Sequence, residues 1–296
     1  MTPSYVIGSQ DELGEGISWR VSDQSLWWTD ILGSCLQTMN WETRKVTTFD
    51  VPERLGCFGF VRNSASQLIC GFESGFALFS PYSGKVDWIS RPLLNVPGVR
   101  MNDGRVDRQG RFWSGSMVED QELAPSHNAG ALFRLDEQLQ VECAMEGLTI
   151  SNGLGWSPSG SVMYFADSSQ HEIRRCDFDN EAGEIGTVVT HARLSEKEFP
   201  DGATVDRAGN LWSAVWGGGR IDCFDTTGSR IRSIRVPTSQ PTCICFGGPD
   251  LTTMFVSTAR CGLEEEQLVT EPLAGCVLAF DGVGIGIPEP QFFTAA

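Results

Sequence analysis

The sequence predicts an all-β fold, a six-bladed β-propeller that forms one domain over residues 1–296. Three observations support this prediction. One motif recurs six times along the chain. The composition, with 9 Trp and 33 Gly, favours many short strands joined by tight turns. No stretch is a convincing helix, because the most helix-like segment, residues 194–199, is short, acidic and ends at Pro200.

The repeated motif consists of an apolar or aromatic start, a short polar turn and an apolar, often aromatic, strand. Its turns contain SPSG, DRQG, DRAG and GGPD, which are typical chain-reversing residues, so each copy predicts a β-hairpin. Successive copies lie 41 to 50 residues apart, which is the period of propeller blades. The copies begin at Trp19, Val61, Val106, Trp156, Val205 and Phe246.

Further strands inside the blades are predicted at residues 130–136, 171–179, 218–225 and 275–282. We expect the N-terminal residues to add a strand to the last blade, because closing the ring removes its free edges. The Trp residues of the repeats are predicted to pack between blades: Trp27, Trp28, Trp113 and Trp212.

The formal net charge of −16 makes nucleic acid and anionic membranes improbable partners. The N-terminus lacks the pattern of a signal peptide, and no segment reaches the roughly 18 apolar residues that a membrane span needs. The ten Cys contain no CxxC pair, so we expect free, mostly buried thiols and a cytoplasmic location. Oligomeric state stays open between a monomer and a small homo-oligomer.

One position, four residues before each repeat start, is rich in oxygen ligands. It holds a carboxylate or amide in four copies of six, and three of these precede Gly directly. Asn-Gly and Asp-Gly also occur as simple turn dipeptides. Four copies in register favour a convergent polar site at one mouth of the central channel, suited to a hard or borderline cation. The six residues are Glu15, Cys57, Asn102, Asn152, Asp201 and Thr242.

At these residues the chain resembles the family of senescence marker protein (regucalcin), gluconolactonase and luciferin-regenerating enzyme. The resemblance covers nearly the whole chain and implies a six-bladed propeller with a central metal-binding channel. It rests on LGEGISW (13–19), RMNDGRVDRQGRFWSGSM (100–117), SNGLGWSPSG (151–160), FPDGATVDRAGNLWSA (199–214), GGGRI (217–221) and CFGGPDLTTMFVSTAR (245–260).

The resemblance also implies site residues. One divalent cation would be bound by Glu15, Asn152 and Asp201. The pair that grips substrate hydroxyls in the family corresponds to Arg100 and Asn102. A further family acid aligns with Asp120, although the family often has Glu there and Glu119 precedes it. Either acid could reach the substrate.

These residues predict a metal-dependent hydrolase that opens sugar lactones to aldonic acids. No G-x-S-x-G elbow occurs, and the three His lie outside the repeated positions, which disfavours a nucleophilic triad. Asp201 is the candidate general base, and the cation, which could be Ca, Zn, Mn, Mg or Fe(II), would polarise the carbonyl. Two alternatives stay open. One is a calcium-binding regulatory protein with little turnover. The other is a propeller esterase or phosphotriesterase, for which we expect a more apolar pocket mouth.

The remaining notable side chains carry structural expectations. Asp103 is either a second layer behind the ligands or a turn residue, and Asp167 is a buried hydrogen-bonding partner. Trp216 and the three Gly after it are expected to shape a rim loop, and the run 264–266 to be a solvated face.

Overall fold

The computed structural model describes residues 1–295, which form six four-stranded antiparallel sheets. In blades one to five, four consecutive strands lie side by side in chain order. Blade one contains β2 (Gly14–Arg20), β3 (Ser25–Asp30), β4 (Cys35–Asn40) and β5 (Val46–Asp50). Blade two contains β6 (Leu55–Phe60), β7 (Leu68–Phe72), β8 (Gly75–Ser80) and β9 (Lys85–Ser90). Blade three contains β10 (Val99–Val106), β11 (Phe112–Val118), β12 (Gly130–Leu135) and β13 (Val141–Leu148).

The other half of the ring repeats this order. Blade four contains β14 (Ser151–Trp156), β15 (Val162–Asp167), β16 (Glu172–Asp179) and β17 (Glu184–Arg193). Blade five contains β18 (Phe199–Val205), β19 (Leu211–Trp216), β20 (Arg220–Phe224) and β21 (Arg230–Arg235). Blade six contains β22 (Pro241–Gly247), β23 (Thr253–Thr258), β24 (Val277–Asp281) and the N-terminal β1 (Tyr5–Ile7).

The predicted fold class, hairpins and closure are confirmed. Each sequence repeat covers the turn between the innermost strand of a blade and the next strand. The N-terminal β1 pairs with β24, with Tyr5 opposite Ala279, and so completes blade six. The four additional predicted segments are the third strands β12, β16, β20 and β24.

Two of the six repeated turns are stabilised by an aspartate that caps the turn and binds a Trp on the following strand. Asp206 accepts hydrogen bonds from the backbone N–H groups of Ala208 and Asn210, and from the indole N–H of Trp212 at 2.9 Å. Asp107 does the same for Trp113, at 3.0 Å. The DRxGxxW pattern therefore encodes both a turn and a fixed aromatic anchor.

Aromatic side chains fill the space between neighbouring blades. Trp113 of blade three lies 5.9 Å from Trp156 of blade four, and Trp19 of blade one stacks on Phe255 of blade six at 5.7 Å. The four Trp predicted to be core are all buried, which confirms that prediction. All ten Cys are free, and most of them are buried, as expected.

The expectation of no helix is wrong at one place, where α1 spans Glu265–Thr270. This helix has no buried residue and is too short to show an amphipathic period, so hydrophobic patterning could not reveal it. The side chain of Gln267 accepts a hydrogen bond from the N–H of Glu264, which satisfies a free donor at its start. Neither this helix nor the 3₁₀ turn Ser168–Gln170, the two helical elements within residues 1–295, is long and apolar enough to cross a membrane.

The C-terminal segment crosses the channel at the end of the inner strands. The N–H of Arg207 in blade five donates to the carbonyl of Ile285, and the N–H of Phe292 donates to the carbonyl of Phe60 in blade two. Between them, Glu289 forms an ion pair with Arg105 of β10 at 2.6 Å. This segment covers one end of the channel, and the cavity described next lies at the other end.

Candidate functional site

Five of the predicted site residues line one cavity at the start of the inner strands. The cavity has a volume of about 310 Å³, and all five side chains are at most 8% exposed. They come from blades one, three, four and five: Glu15, Arg100, Asn102, Asn152 and Asp201.

β-Bulges direct these side chains into the cavity. The pairing of each inner strand with its neighbour shifts register at the site, for example between Glu15 and Ser18 and between Asn152 and Gly155. A bulge leaves one residue unpaired and re-aims its neighbours. Gly16, which follows Glu15, has a φ of 58°, a left-handed backbone conformation that favours glycine.

A continuous chain of hydrogen bonds orients the amide groups. Arg100 Nη1 donates to Asn102 Oδ1 at 2.9 Å, and Asn102 Nδ2 donates to Asn152 Oδ1 at 2.9 Å. Asn152 Nδ2 then donates to Ser168 Oγ at 2.9 Å, and this hydroxyl donates to the carbonyl of Pro200 at 2.6 Å. Since an amide oxygen has two lone pairs, Asn152 Oδ1 keeps one for a ligand in the cavity.

The two carboxylates of the cavity lie in an unfavourable electrostatic environment. Burial, followed by the negative charge of Glu15, raises the pKa of Asp201 well above its usual range. Burial, followed by the charge of Asp103, raises the pKa of Glu15. Asp103 does not line the cavity; its carboxylate lies behind it and accepts a hydrogen bond from the N–H of Leu154 at 3.0 Å.

This donor set fits a divalent cation. Two buried carboxylates and an amide oxygen are the ligands that hard and borderline metals accept, and a positive charge would offset the repulsion between Glu15 and Asp201. Within residues 1–295, no group of three or more His, Cys, Asp or Glu side chains is placed to hold a metal. A cation here would therefore require Asn152 as the third ligand.

The two acids that were also predicted to bind substrate, Glu119 and Asp120, do not line the cavity. Glu119 accepts a hydrogen bond from Arg100 Nε at 2.8 Å and so fixes that guanidinium from behind. The Asp120 carboxylate instead accepts hydrogen bonds from the N–H groups of Glu122 and Leu123 in its own exposed loop. Glu119 is thus the acid that contacts Arg100, whereas a contact of either acid with substrate stays a prediction.

In blades two and six, the side chain at the repeated position does not line the cavity. Cys57 Sγ lies 3.2 Å from the Ser114 hydroxyl in the interior, and Thr242 hydrogen-bonds the Ser257 hydroxyl at 2.8 Å. Asp167 is a buried hydrogen-bonding partner, as predicted, and accepts N–H groups of Thr149 and Ile150 at 3.0 Å.

Ser168 and most of the apolar lining of the cavity were not predicted from the sequence. A strand-alternation rule would have found part of that lining, because residues two positions before a site residue face the same side. No local signal marks Ser168, which reaches the site from a turn. The missed lining residues are Leu13, Met117, Ile150, Ser168, Phe199 and Cys261. Trp216, expected at a rim loop, also lines the cavity.

Residues 13–260 match the family model described as SMP-30/Gluconolactonase/LRE-like region. The chain belongs to this family. Its relatives include the L-arabinolactonase of Azospirillum brasilense, with 35% identity over 96% of this chain and 93% of that protein. The 6-deoxy-6-sulfogluconolactonase of Pseudomonas putida is 34% identical over 98% of both chains.

The solved structures agree with this assignment. The chain superimposes on regucalcin from Agrobacterium tumefaciens, described as a calcium-binding protein, with a TM-score of 0.92 and 25% identity. The match covers 99% of this chain and 98% of that one. The resemblance stated from the sequence motifs is therefore confirmed, together with the six-bladed propeller.

Proposed function

We propose that this protein is a metal-dependent lactonase that opens a sugar lactone to its aldonic acid. The observation that carries this proposal is the placement of Glu15, Asn152 and Asp201 in one buried cavity beside Arg100 and Asn102. Lactonase-named relatives that match the chain over nearly its full length support the same reaction class.

Each polar residue of the cavity has its own role in the proposed hydrolysis. A divalent cation held by Glu15, Asn152 and Asp201 would polarise the lactone carbonyl and stabilise the negative charge that develops on its oxygen. Asp201 accepts the proton of the attacking water as general base. Arg100 donates to ring or hydroxyl oxygens of the substrate, and Asn102, which can donate and accept, orients a hydroxyl.

The mechanism is tested by comparing Asp201→Asn with the parent protein. Asn keeps the shape of the side chain but is a weak base and an uncharged ligand. We expect acid release from aldonolactones, followed with a pH indicator in the presence of Ca, Mg, Mn, Zn or Fe(II), to fall by about 10²-fold or more. Calorimetry should show weaker metal binding. An exposed control, Glu265→Gln on α1, should behave as the parent does.

Equal rates for Asp201→Asn and the parent would refute the mechanism. Two other functions are distinguished by the same experiment. Tight metal binding by the parent without acid release from any lactone would favour a calcium-binding role, for which the calcium-binding regucalcin is the precedent. Faster hydrolysis of aryl esters or phosphotriesters than of every lactone would favour the esterase, which the apolar residues around the cavity make a specific candidate.

A further inference from the structure

A second layer of side chains lies two positions before the polar site residues, at or just before the start of the same inner strands. Side chains alternate along a strand, so residues two positions apart face the same way and lie about 6.6 Å apart. The second layer lies nearer to the opening of the cavity, and the eight residues of the two layers all line the cavity. The pairs, from the mouth inwards, are Leu13 and Glu15, Arg100 and Asn102, Ile150 and Asn152, and Phe199 and Asp201.

The second layer is apolar in three of the four blades, and each of its apolar residues has an apolar neighbour. Ile150 forms an isolated bridge with Met117, and Phe199 pairs with Trp216 on the neighbouring strand. The N–H of Cys261 donates to the carbonyl of the residue before Leu13, and both Leu13 and Cys261 line the cavity. We call these six residues, Leu13, Met117, Ile150, Phe199, Trp216 and Cys261, the apolar mouth.

Carboxylates of the scaffold hold the apolar mouth in place. The Asp30 side chain accepts a hydrogen bond from the N–H of Leu13, and the Asp167 side chain accepts one from the N–H of Ile150, both at 3.0 Å. These contacts anchor the backbone just before the inner strand in blades one and four. The mouth is therefore formed before any ligand binds, which reduces the ordering cost of binding.

Most of the positive charges around the mouth are paired with carboxylates. Among the described residues that line the cavity, Arg100 is the one basic side chain, and its Nε is bound to Glu119. The neighbouring arginines are also paired with carboxylates, within a protein of net charge −16. These pairs are Arg54 with Glu73 and Glu119, Arg220 with Glu198 and Asp222, and Arg260 with Glu12.

We propose that the apolar mouth selects uncharged lactones of single-sugar size whose end remote from the carbonyl is apolar, such as 6-deoxyhexonolactones. The inference rests on the proposed lactonase function. We call Glu15, Asn102, Asn152 and Asp201 the polar layer. When the lactone carbonyl lies at the polar layer, the substituent remote from the carbonyl contacts the apolar mouth. A methyl group is buried favourably against these six residues, whereas a hydroxymethyl group loses water there without gaining a hydrogen-bonding partner among them, and an anionic group meets no cation among them. The volume of about 310 Å³ suits one sugar ring.

The first experiment compares three matched substrates on the metal-loaded protein: a hexonolactone, its 6-deoxy analogue and its 6-phosphate. We expect kcat/KM for the 6-deoxy lactone to exceed that for the parent lactone by about tenfold, the usual discrimination for one such group. The 6-phosphate should be slower than both. The Kd values of the corresponding hexonolactam and 6-deoxyhexonolactam, measured by calorimetry, should follow the same order.

The second experiment adds a positive charge to the mouth with Met117→Arg. Met117 lies next to Ile150 and is only half-buried, so the longer side chain can point towards solvent. We expect this variant to raise the kcat/KM ratio of the 6-phosphate to the 6-deoxy lactone at least tenfold. The control is Val189→Arg, which adds the same charge at an exposed position on the outer strand β17 and should leave the ratio unchanged.

The outcomes separate this inference from the proposed function. Lactone hydrolysis with an equal or higher kcat/KM for the parent hexonolactone would overturn the inference and leave the lactonase standing. An unchanged ratio in Met117→Arg would also overturn it. Absence of acid release from all three lactones would refute the lactonase, and in that case equal lactam Kd values would overturn the selectivity as well.

Discussion

Ser168 is the residue whose removal tests the orientation of the polar layer most directly. Its hydroxyl accepts a hydrogen bond from Asn152 Nδ2 and donates one to the carbonyl of Pro200, the residue before Asp201. Ser168 is 4% exposed and lies at the wall of the cavity. Ser168→Ala removes two hydrogen bonds at about 1 kcal/mol each, a total of about 2 kcal/mol.

Part of this cost is expected in metal affinity, because the Asn152 amide loses the contact that fixes which of its atoms faces the cavity. The whole loss of about 2 kcal/mol would make the apparent metal affinity about 30-fold weaker, so we expect a loss of up to about 30-fold, within the range found when partners of metal ligands are removed. The assay is calorimetric titration of Ca, Mn or Zn into the metal-free protein, with acid release measured at saturating metal.

Ser169→Ala is the matched control. Ser169 lies in the same 3₁₀ turn, but its hydroxyl donates to Asp167 and does not touch Asn152. We expect its metal affinity to equal that of the parent. If Ser168→Ala and Ser169→Ala bind metal equally well, the hydrogen-bond chain does not orient the Asn152 ligand.

Two further changes test the scaffold. Glu289→Gln leaves Arg105 without its ion-pair partner in a largely buried place, which should reduce the free energy of unfolding in urea by about 3 kcal/mol. His191→Phe should flatten the pH dependence of stability. Burial and the nearby Arg175 lower the pKa of His191 to about 4, and Asp225 partly opposes this shift. The unfolded chain therefore binds more protons than the folded protein between pH 6.5 and 4. Because of this difference, the parent protein loses stability as the pH falls through this range.

Each of these changes has its own control. Glu265→Gln on the exposed α1 should leave the free energy of unfolding unchanged, and a similarly small loss for Glu289→Gln would show that the ion pair does not stabilise the fold. For His191→Phe, urea unfolding is compared at pH 7 and pH 5. An identical change between the two pH values in the variant and the parent would assign the pH dependence to other groups.

The blade architecture could be predicted because each blade contains its own local signal. The turn aspartates Asp107 and Asp206 appear in the DRxG pattern together with the Trp that they bind. Ring closure also followed from the need to remove free edges. The ion pair of Arg105 with Glu289 could not be predicted, since it joins residues 184 positions apart through a C-terminal segment without a repeat pattern.

The polar layer of the site could be predicted for a similar reason. A residue type repeated in register on four inner strands is visible without a structure, and a propeller brings equivalent positions together at its axis. Ser168 could not be found in this way, because it reaches Asn152 from a turn after β15 that has no counterpart pattern in the other blades. Nor could sequence decide between Glu119 and Asp120, since the loop conformation determines which carboxylate turns towards Arg100.

The two layers of the cavity make separable contributions, although they share the same four strands. A hydrogen-bond chain that ends at Pro200 fixes the polar layer, whereas Asp30 and Asp167 fix the apolar mouth. A substitution in one layer can therefore change its own property and spare the other. This separation would be established if Ser168→Ala weakens metal binding without changing substrate preference, and if Met117→Arg changes substrate preference without weakening metal binding. Parallel changes in both variants would mean that the inner strands move as one unit, so that metal and substrate binding depend on the same rigid body.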